Sequence, residues 1–249
     1  MALRAHRKFQ ANGKKRRQMS EPTQSPPAKA SAVRPKDAAT LVLIRRDDRG
    51  APLVLMGQRA TGHVFMPNKW VFPGGRVDRA DAFAPAAHEL TPETEARLAE
   101  GGVRRKSRAF ALAAVRETFE ETGLLIGKLG HKHWPAPAGW GDYCKHHAAA
   151  DLSKFSFICR AITPPSRPRR FDARFFLAFA DQVLLDDRIH VEGDELLHIE
   201  WFTLEAALGL DLPPITRFII GDVAKRLAGE PQPLQFFHHG SPFPFERGP

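Results

Sequence analysis

The chain has 249 residues, 43% of them hydrophobic, enough for one good core and for one decorated domain in preference to two. Only two cysteines occur, Cys144 and Cys159, which excludes a disulfide framework and points to a reducing, cytoplasmic setting; no apolar run approaches the ~18 residues of a membrane-spanning helix, and no signal-peptide core is present. The net charge of +9 belongs to one end: residues 1–36 hold ten Lys/Arg and one acid, Glu21, and the rest balances at 27 of each sign, which argues against nucleic acid as a partner of the folded part.

In chain order, residues 1–37 read as a disordered basic tail, rich in Lys and Arg and then in Ser, Pro and Ala, with no apolar period. The run Lys14-Lys15-Arg16-Arg17 is read as solvated charge. The Arg-rich start also resembles a mitochondrial presequence without its apolar face, and Met19-Ser20-Glu21 offers a second position for the start of translation. Order is expected from about residue 38. Thr40–Arg45 and Leu53–Met56, joined by the turn Asp47-Asp48-Arg49-Gly50, predict a hairpin. Trp70-Val71-Phe72 predicts a short strand that ends in a Pro73-Gly74-Gly75 loop.

Residues 82–109 read as an insertion. Thr91-Pro92 starts a helix within it, and Gly101-Gly102 stops that helix. A basic cluster, Arg104, Arg105, Lys106 and Arg108, leads into a helix from about Ser107. Residues 127–153 read as irregular. Phe155–Ile162 and Phe171–Ala180 predict strands around a Pro-rich turn, and His198–Phe202 another. Leu204–Leu208 and Pro214–Leu227 predict helices, and residues 231–249 a C-terminal tail. Strands with hairpins and a few helices predict an α/β (α+β) mixed sheet, and neither a Walker A loop nor a G-x-G-x-x-G motif is present.

The chemistry concentrates in Arg116-Glu117-Thr118-Phe119-Glu120-Glu121-Thr122-Gly123. At about 100° per residue, Glu117, Glu120 and Glu121 share roughly one third of a helix surface. Leu112, Val115 and Phe119 lie opposite, so a helix with one buried face and one acidic face is expected. Glu117 and Glu121 repel at this spacing, and a divalent cation reverses that sign. Arg116 and Glu120 are four apart, so Arg116 can hold a carboxylate in place. Upstream, Phe72-Pro73-Gly74-Gly75-Arg76-Val77-Asp78 lets backbone approach a ligand closely. Carboxylates with a backbone carbonyl suit Mg²⁺ (or Mn²⁺) and a phosphate chain, that is, attack of water on a phosphoanhydride.

These residues resemble the signature of the Nudix hydrolases: a Gly, an acid after five residues, and, seven residues further on, R-E-x-x-E-E-x-G. Gly75 matches the Gly, Asp81 stands where the family has Glu, and Arg116 to Gly123 match the rest, with Thr118 at a position that is usually apolar. The gap departs from the pattern: 34 residues separate Asp81 from Arg116, which is 27 more than in the family. The resemblance implies a Nudix-like α/β/α sandwich over residues 38–230. It implies metal ligation by Glu117, Glu120, Glu121 and the Gly75 carbonyl, catalytic roles for Glu117 and Glu120, and an orienting role for Arg116. Glu192, Asp194 and Glu195 are candidate bases from a later loop.

The split signature is similar to the branch that hydrolyses coenzyme A. The run from Phe65 to Asp81 and the segment Arg169–Phe176 carry that similarity. It implies substrate contacts from Arg59, Arg76, Asp78 and Arg105, and cleavage of coenzyme A or an acyl derivative to 3′,5′-ADP and a 4′-phosphopantetheine product. ADP-ribose, dinucleotides and mRNA 5′ ends are alternative substrates, and a non-catalytic Nudix-fold binder is an alternative class. The implied partner is a small nucleotide-like molecule, with no membrane and with a homodimer as an allowed assembly. No Ser-Lys-Leu-like ending supports a peroxisomal address. His131, His133, His146 and His147 make a poor zinc pattern. Trp70 and Trp201 read as core, and Trp134 and Trp140 as loop residues open to base stacking.

Overall fold

The computed structural model describes residues 33–62, 66–100, 102, 106–130, 135–186, 188–189, 195–238 and 241–244. The strands in chain order are β1 (Lys36–Arg46), β2 (Pro52–Arg59), β3 (Trp70–Val71), β4 (Gly74–Arg76), β5 (Ala86–His88), β6 (Lys128–Leu129), β7 (Ala148–Asp151), β8 (Ser156–Ile162), β9 (Phe171–Phe179), β10 (Leu196–Thr203), β11 (Gln235–His238) and β12 (Ser241–Pro244). The helices are α1 (Pro92–Glu100), α2 (Ser107–Thr122), α3 (Gly141–Cys144), α4 (Ala180–Val183), α5 (Leu204–Leu208) and α6 (Pro214–Leu227).

The main sheet runs β10-β2-β1-β9-β8-β11-β12, with β3 added beside β2 and β4 beside β1. It is mixed: β1 is parallel to β9 and β8 to β11, and the other pairs are antiparallel. The interior strand β1 is apolar on both faces, as a strand covered on both sides must be. Ala39, Leu41 and Leu43 point into a core with α1 and α2, and Val42 and Ile44 into a second core with α5 and α6. The parallel register places Leu41 beside Phe176 and Val42 beside Leu177, so β9 alternates in step with β1. The result is the α/β/α sandwich expected from the sequence.

Several local expectations change. The Gly-Gly loop is a short strand, β4, because it finds a partner in β1 (Thr40↔Gly74, Ala38↔Arg76). Residues 127–153 are not simply irregular: β6 and β7 join β5 in a small second sheet, and α3 lies between them in sequence. The C-terminal tail is partly ordered, because β11 adds to the edge of β8 and buries Phe237 in the core beside α6, and β12 folds back on it.

α2 also departs from its expected amphipathic form. Eleven of its 16 residues are buried, among them Arg116, Thr118 and Glu121. The main sheet covers one side, and elements from the insertion and from residues 127–153 cover the other. Thr118, at the usually apolar position, is fully buried and donates its hydroxyl to the Ala114 carbonyl at 2.7 Å, which leaves its methyl to pack. The helix ends where Gly123 turns left-handed (φ +73°) and bonds back to the Phe119 carbonyl.

Candidate active site

Arg116 is the centre of the site. It is 6% exposed and almost fully bonded. Nε donates to Asp81 Oδ1 at 2.8 Å and Nη2 to Asp81 Oδ2 at 3.2 Å. Nη1 donates to Glu117 Oε1 and to Glu120 Oε2, both at 2.9 Å, and Nη2 also reaches the Arg76 carbonyl at 2.9 Å. One guanidinium thus locks two helix carboxylates and the end of β4 into one unit.

Asp81 is the second anchor and is completely buried. Besides Arg116 it accepts the Trp140 indole N–H at 3.0 Å and the Asp78 backbone N–H at 2.7 Å. Burying a carboxylate is costly unless its oxygens are paired to this degree. Its role therefore no longer hangs on the missing methylene: an acid from before the insertion holds the arginine from after it. Trp140 is likewise core and not a stacking platform, since its ring is fully buried against Tyr143 and its indole N–H supports Asp81.

β4 meets α2 at the third and fourth contacts. The Gly74 N–H donates to Glu121 Oε2 at 2.9 Å. Gly74 has φ +153°, and a Cβ there would lie 2.5 Å from the Ala39 carbonyl oxygen. A Cβ on Gly75 would lie 2.4 Å from the Glu117 carboxyl group. Contact with backbone makes Gly74 a requirement of close approach, and a side chain at Gly75 would displace the Glu117 carboxyl group.

The electrostatics follow from burial. Burial raises the Glu117 carboxyl to about 7, with Arg116 opposing and Glu120 reinforcing the shift. Burial raises Glu121 well above the ordinary carboxylate range, against the Gly74 hydrogen bond, and raises Glu120 against the pull of Arg116. Burial works against the charge of Arg116, but the Asp81 hydrogen bond and the charges of Glu117, Asp81 and Glu120 hold its pKa above the usual value. Arg59, at the end of β2, has its pKa lowered by burial, and Glu121, Glu195 and Glu117 counter that. Glu195 adds its negative field to all three helix carboxylates.

Among the described residues, no three His, Cys, Asp or Glu side chains already form a metal ligand set. The reason is visible in the contacts: Arg116 occupies Glu117 and Glu120, and the Gly74 amide occupies Glu121. The donor set still fits a hard divalent ion. Three carboxylates are held in a setting that penalises their charge, and Mg²⁺ takes only one or two carboxylates when waters and phosphates supply its other ligands.

A cavity of about 280 Å³ opens beside Gly74 and Gly75 on the α6 side of the sheet. Arg59 and Thr40 border it near the glycines, and Phe72, Ile162, Phe171 and Ile215 give it apolar walls. Phe171 is half-buried and lines this space, whereas Phe175 and Phe176 are buried.

The other singled-out residues divide. Arg76 and Asp78 pair with each other at 2.7 Å on the surface, facing a different cavity. Arg108 is structural: it pairs with Glu89 at 2.9 Å and caps the carbonyls of Ala82 and Ala84, so it is taken out of the basic cluster. Arg104, Arg105, His131, His133, Trp134, Glu192 and Asp194 lie outside the described residues. His146 packs edge-on against Phe119. Trp140 was missed as a site residue because nothing local in its Gly- and Pro-rich surroundings announces its partner 59 positions away.

The pattern of glycines, buried arginine and carboxylates sits within a region, residues 35–220, that matches the NUDIX domain family, and the chain belongs to that family. A Caenorhabditis elegans protein provisionally named nudix hydrolase 7 is 35% identical over 179 residues, which is 66% of this chain and 51% of the relative. The chain thus spans about half the length of that curated relative. The crystal structure of a NUDIX hydrolase from Alicyclobacillus acidocaldarius is similar with a TM-score of 0.55 and 29% identity, covering 77% of this chain and 91% of that one.

Proposed function

We propose that the protein is a divalent-metal-dependent pyrophosphohydrolase acting on a nucleoside-diphosphate-linked small molecule. The observation that carries this reading is the single guanidinium of Arg116, held by Asp81, that orients Glu117 and Glu120 beside a Gly-Gly backbone where an added Cβ would meet the Ala39 carbonyl or the Glu117 carboxyl group. Members of the family generally use divalent metal ions. Glu117, Glu120, Glu121 and the Gly75 carbonyl would hold Mg²⁺ or Mn²⁺ here. Such an ion, when bound, neutralises phosphoryl oxygens and acidifies water.

The chain's own residues do the rest. Arg116 keeps the Glu117 and Glu120 carboxylates from swinging away. Arg59, at the mouth of the apolar cavity, supplies positive charge to the diphosphate. Glu195, exposed and within the field of the three helix acids, accepts the proton of the attacking water. The water oxygen bonds to phosphorus, the bridging P–O bond breaks, and the leaving phosphate keeps that oxygen.

Among such substrates, the apolar walls beside Gly74–Gly75 favour one with an uncharged arm, as in coenzyme A or an acyl derivative, split to 3′,5′-ADP and a 4′-phosphopantetheine product. ADP-ribose and dinucleotides are the competing substrates. A non-catalytic binder is disfavoured by the presence of all three helix carboxylates, for which simple binding has no need. The test is incubation with Mg²⁺ and coenzyme A, ADP-ribose, NADH and diadenosine polyphosphates, with products followed by mass. Cleavage of a diphosphate bond is expected, and inertness towards the whole panel would refute the reading.

A further inference from the structure

A second cavity, of about 800 Å³, lies where the start of β1, the end of β4, the end of β8 and the start of β9 meet. Six Lys or Arg residues line it against three Asp. Its composition is opposite to that of the apolar cavity.

The wall is built around Arg174. This side chain is 1% exposed, and its guanidinium lies 4.5 Å over the Phe110 ring of α2. Its Nη1 meets Asp172 Oδ1 at 2.8 Å and approaches Asp37 at 3.7 Å. Its Nε is buried and has no hydrogen-bond partner among the described residues. Asp172 is shared: Arg160 also grips it, with contacts of 2.8 and 2.7 Å. Asp172 thus serves both guanidiniums, with Asp37 a second, more distant carboxylate for Arg174, and the fold sets the two arginines side by side, because Arg160 and Arg174 face each other across β8 and β9. Arg76 is tied to Asp78, while Arg79, beside them, is exposed. Arg34, Lys36, Arg76 and Arg79 are exposed, so the cavity sets one buried guanidinium with an unpartnered Nε beside four solvent-facing basic residues, an arrangement that an anion stabilises.

We infer that this cavity binds a phosphate monoester group, and that the group is carried by the substrate cleaved at the carboxylate helix. The first part stands on the cavity alone. The second rests on the hydrolase reading and on connectivity: Arg76 lines the cavity, its carbonyl is bonded to Arg116 at 2.9 Å, and its neighbour Gly75 abuts Glu117. A molecule with a diphosphate and a separate monoester would thus be held at both ends of β4. A dianionic monoester matches the paired guanidiniums in charge and geometry, which a neutral sugar or base does not.

Two measurements test it on the full chain. The first is binding of inorganic phosphate to metal-free protein by calorimetry, for wild type, Arg174→Lys and the exposed Arg79→Ser. Weakening of roughly tenfold is expected for Arg174→Lys, with a smaller loss for Arg79→Ser, which keeps the fold if Arg174→Lys does not. Unchanged phosphate affinity in both folded variants would overturn the site. The second compares coenzyme A with dephospho-coenzyme A, and NADPH with NADH, pairs that differ by one monoester. The wild type should favour the phosphorylated member by about tenfold in kcat/KM, and both variants should bring that ratio towards one. An equal ratio in wild type and variants would sever the cavity from the substrate. Phosphate binding that the variants weaken, without turnover of any substrate, would leave the anion site in place and remove the hydrolase reading instead.

Discussion

Arg116 Nε and Asp81 Oδ1 lie 2.8 Å apart, although 34 residues separate them in the chain. This buried pair bridges the insertion and couples the segment that carries Gly75 to the helix that carries the three glutamates. Replacing Asp81 with Ala leaves the buried Nε of Arg116 and the indole N–H of Trp140 without their acceptor. We expect a loss of about 3–5 kcal/mol in stability, as for other broken buried pairs, and a Tm lower by roughly 10 °C for a domain of this size. Thermal melts of both proteins check this, and an unchanged Tm would show that the pair does not anchor the fold.

Glu120 is the most exposed of the helix acids, so its substitution separates chemistry from folding. Glu120→Gln keeps the shape and an acceptor for Arg116 but lowers the ligand charge. Turnover in Mg²⁺ should drop roughly a hundredfold or more, with an unaltered circular dichroism spectrum. Wild-type rates would remove Glu120 from the metal-binding set.

Gly75→Ala places a methyl group where the Glu117 carboxyl now sits, 2.4 Å from its carbon. Glu117 must rotate off Arg116, and activity should be lost by at least about a hundredfold. Gly141→Ala, with no atom close to the added carbon, is the matching control and should be active. Equal rates for the two variants would contradict the close approach of β4 and α2.

The raised carboxyl of Glu117 sets a pH dependence with a definite sign. Its pKa in the fold is about 7, against 4.5 for an ordinary glutamate. Between these values the folded state binds more protons than the unfolded state, so stability falls as pH rises through that window. The contribution is at most on the order of 3 kcal/mol. In EDTA the Tm should therefore be several degrees higher at pH 5.5 than at pH 8. Saturating Mg²⁺ should lift the Tm most at pH 8, because ligation requires ionised carboxylates. A metal-free Tm that rises between pH 5.5 and 8 would contradict the burial of this group.

Much of this was legible in the residues. The β1–β2 hairpin, the strands β8, β9 and β10, and the helices α5 and α6 follow from local patterns of apolar, Gly and Pro residues. The spacing of Glu117, Glu120 and Glu121 placed them near one another on one helix before any fold was known, and Arg116 was within reach of Glu120 by the same arithmetic. These are short-range facts, set by helical and strand periodicity.

Tertiary structure decided the rest. The sequence alone shows Asp81 as a shortened acid in front of an insertion. Only folding brings it to Arg116 and Trp140, 35 and 59 positions away. The acidic helix looked half-exposed by its period. It is buried on most sides because residues before and after it, among them Leu98, Trp140, Tyr143 and Ala150, cover its second side. The basic cluster before α2 offered Arg105 as a substrate contact, but Arg108 of that cluster is spent on Glu89 and two carbonyls, while Arg160 and Arg174, from separate strands, are brought side by side. Periodicity ranks residues along one element. Which charge neutralises which, and which face another segment covers, depends on chain packing between distant positions.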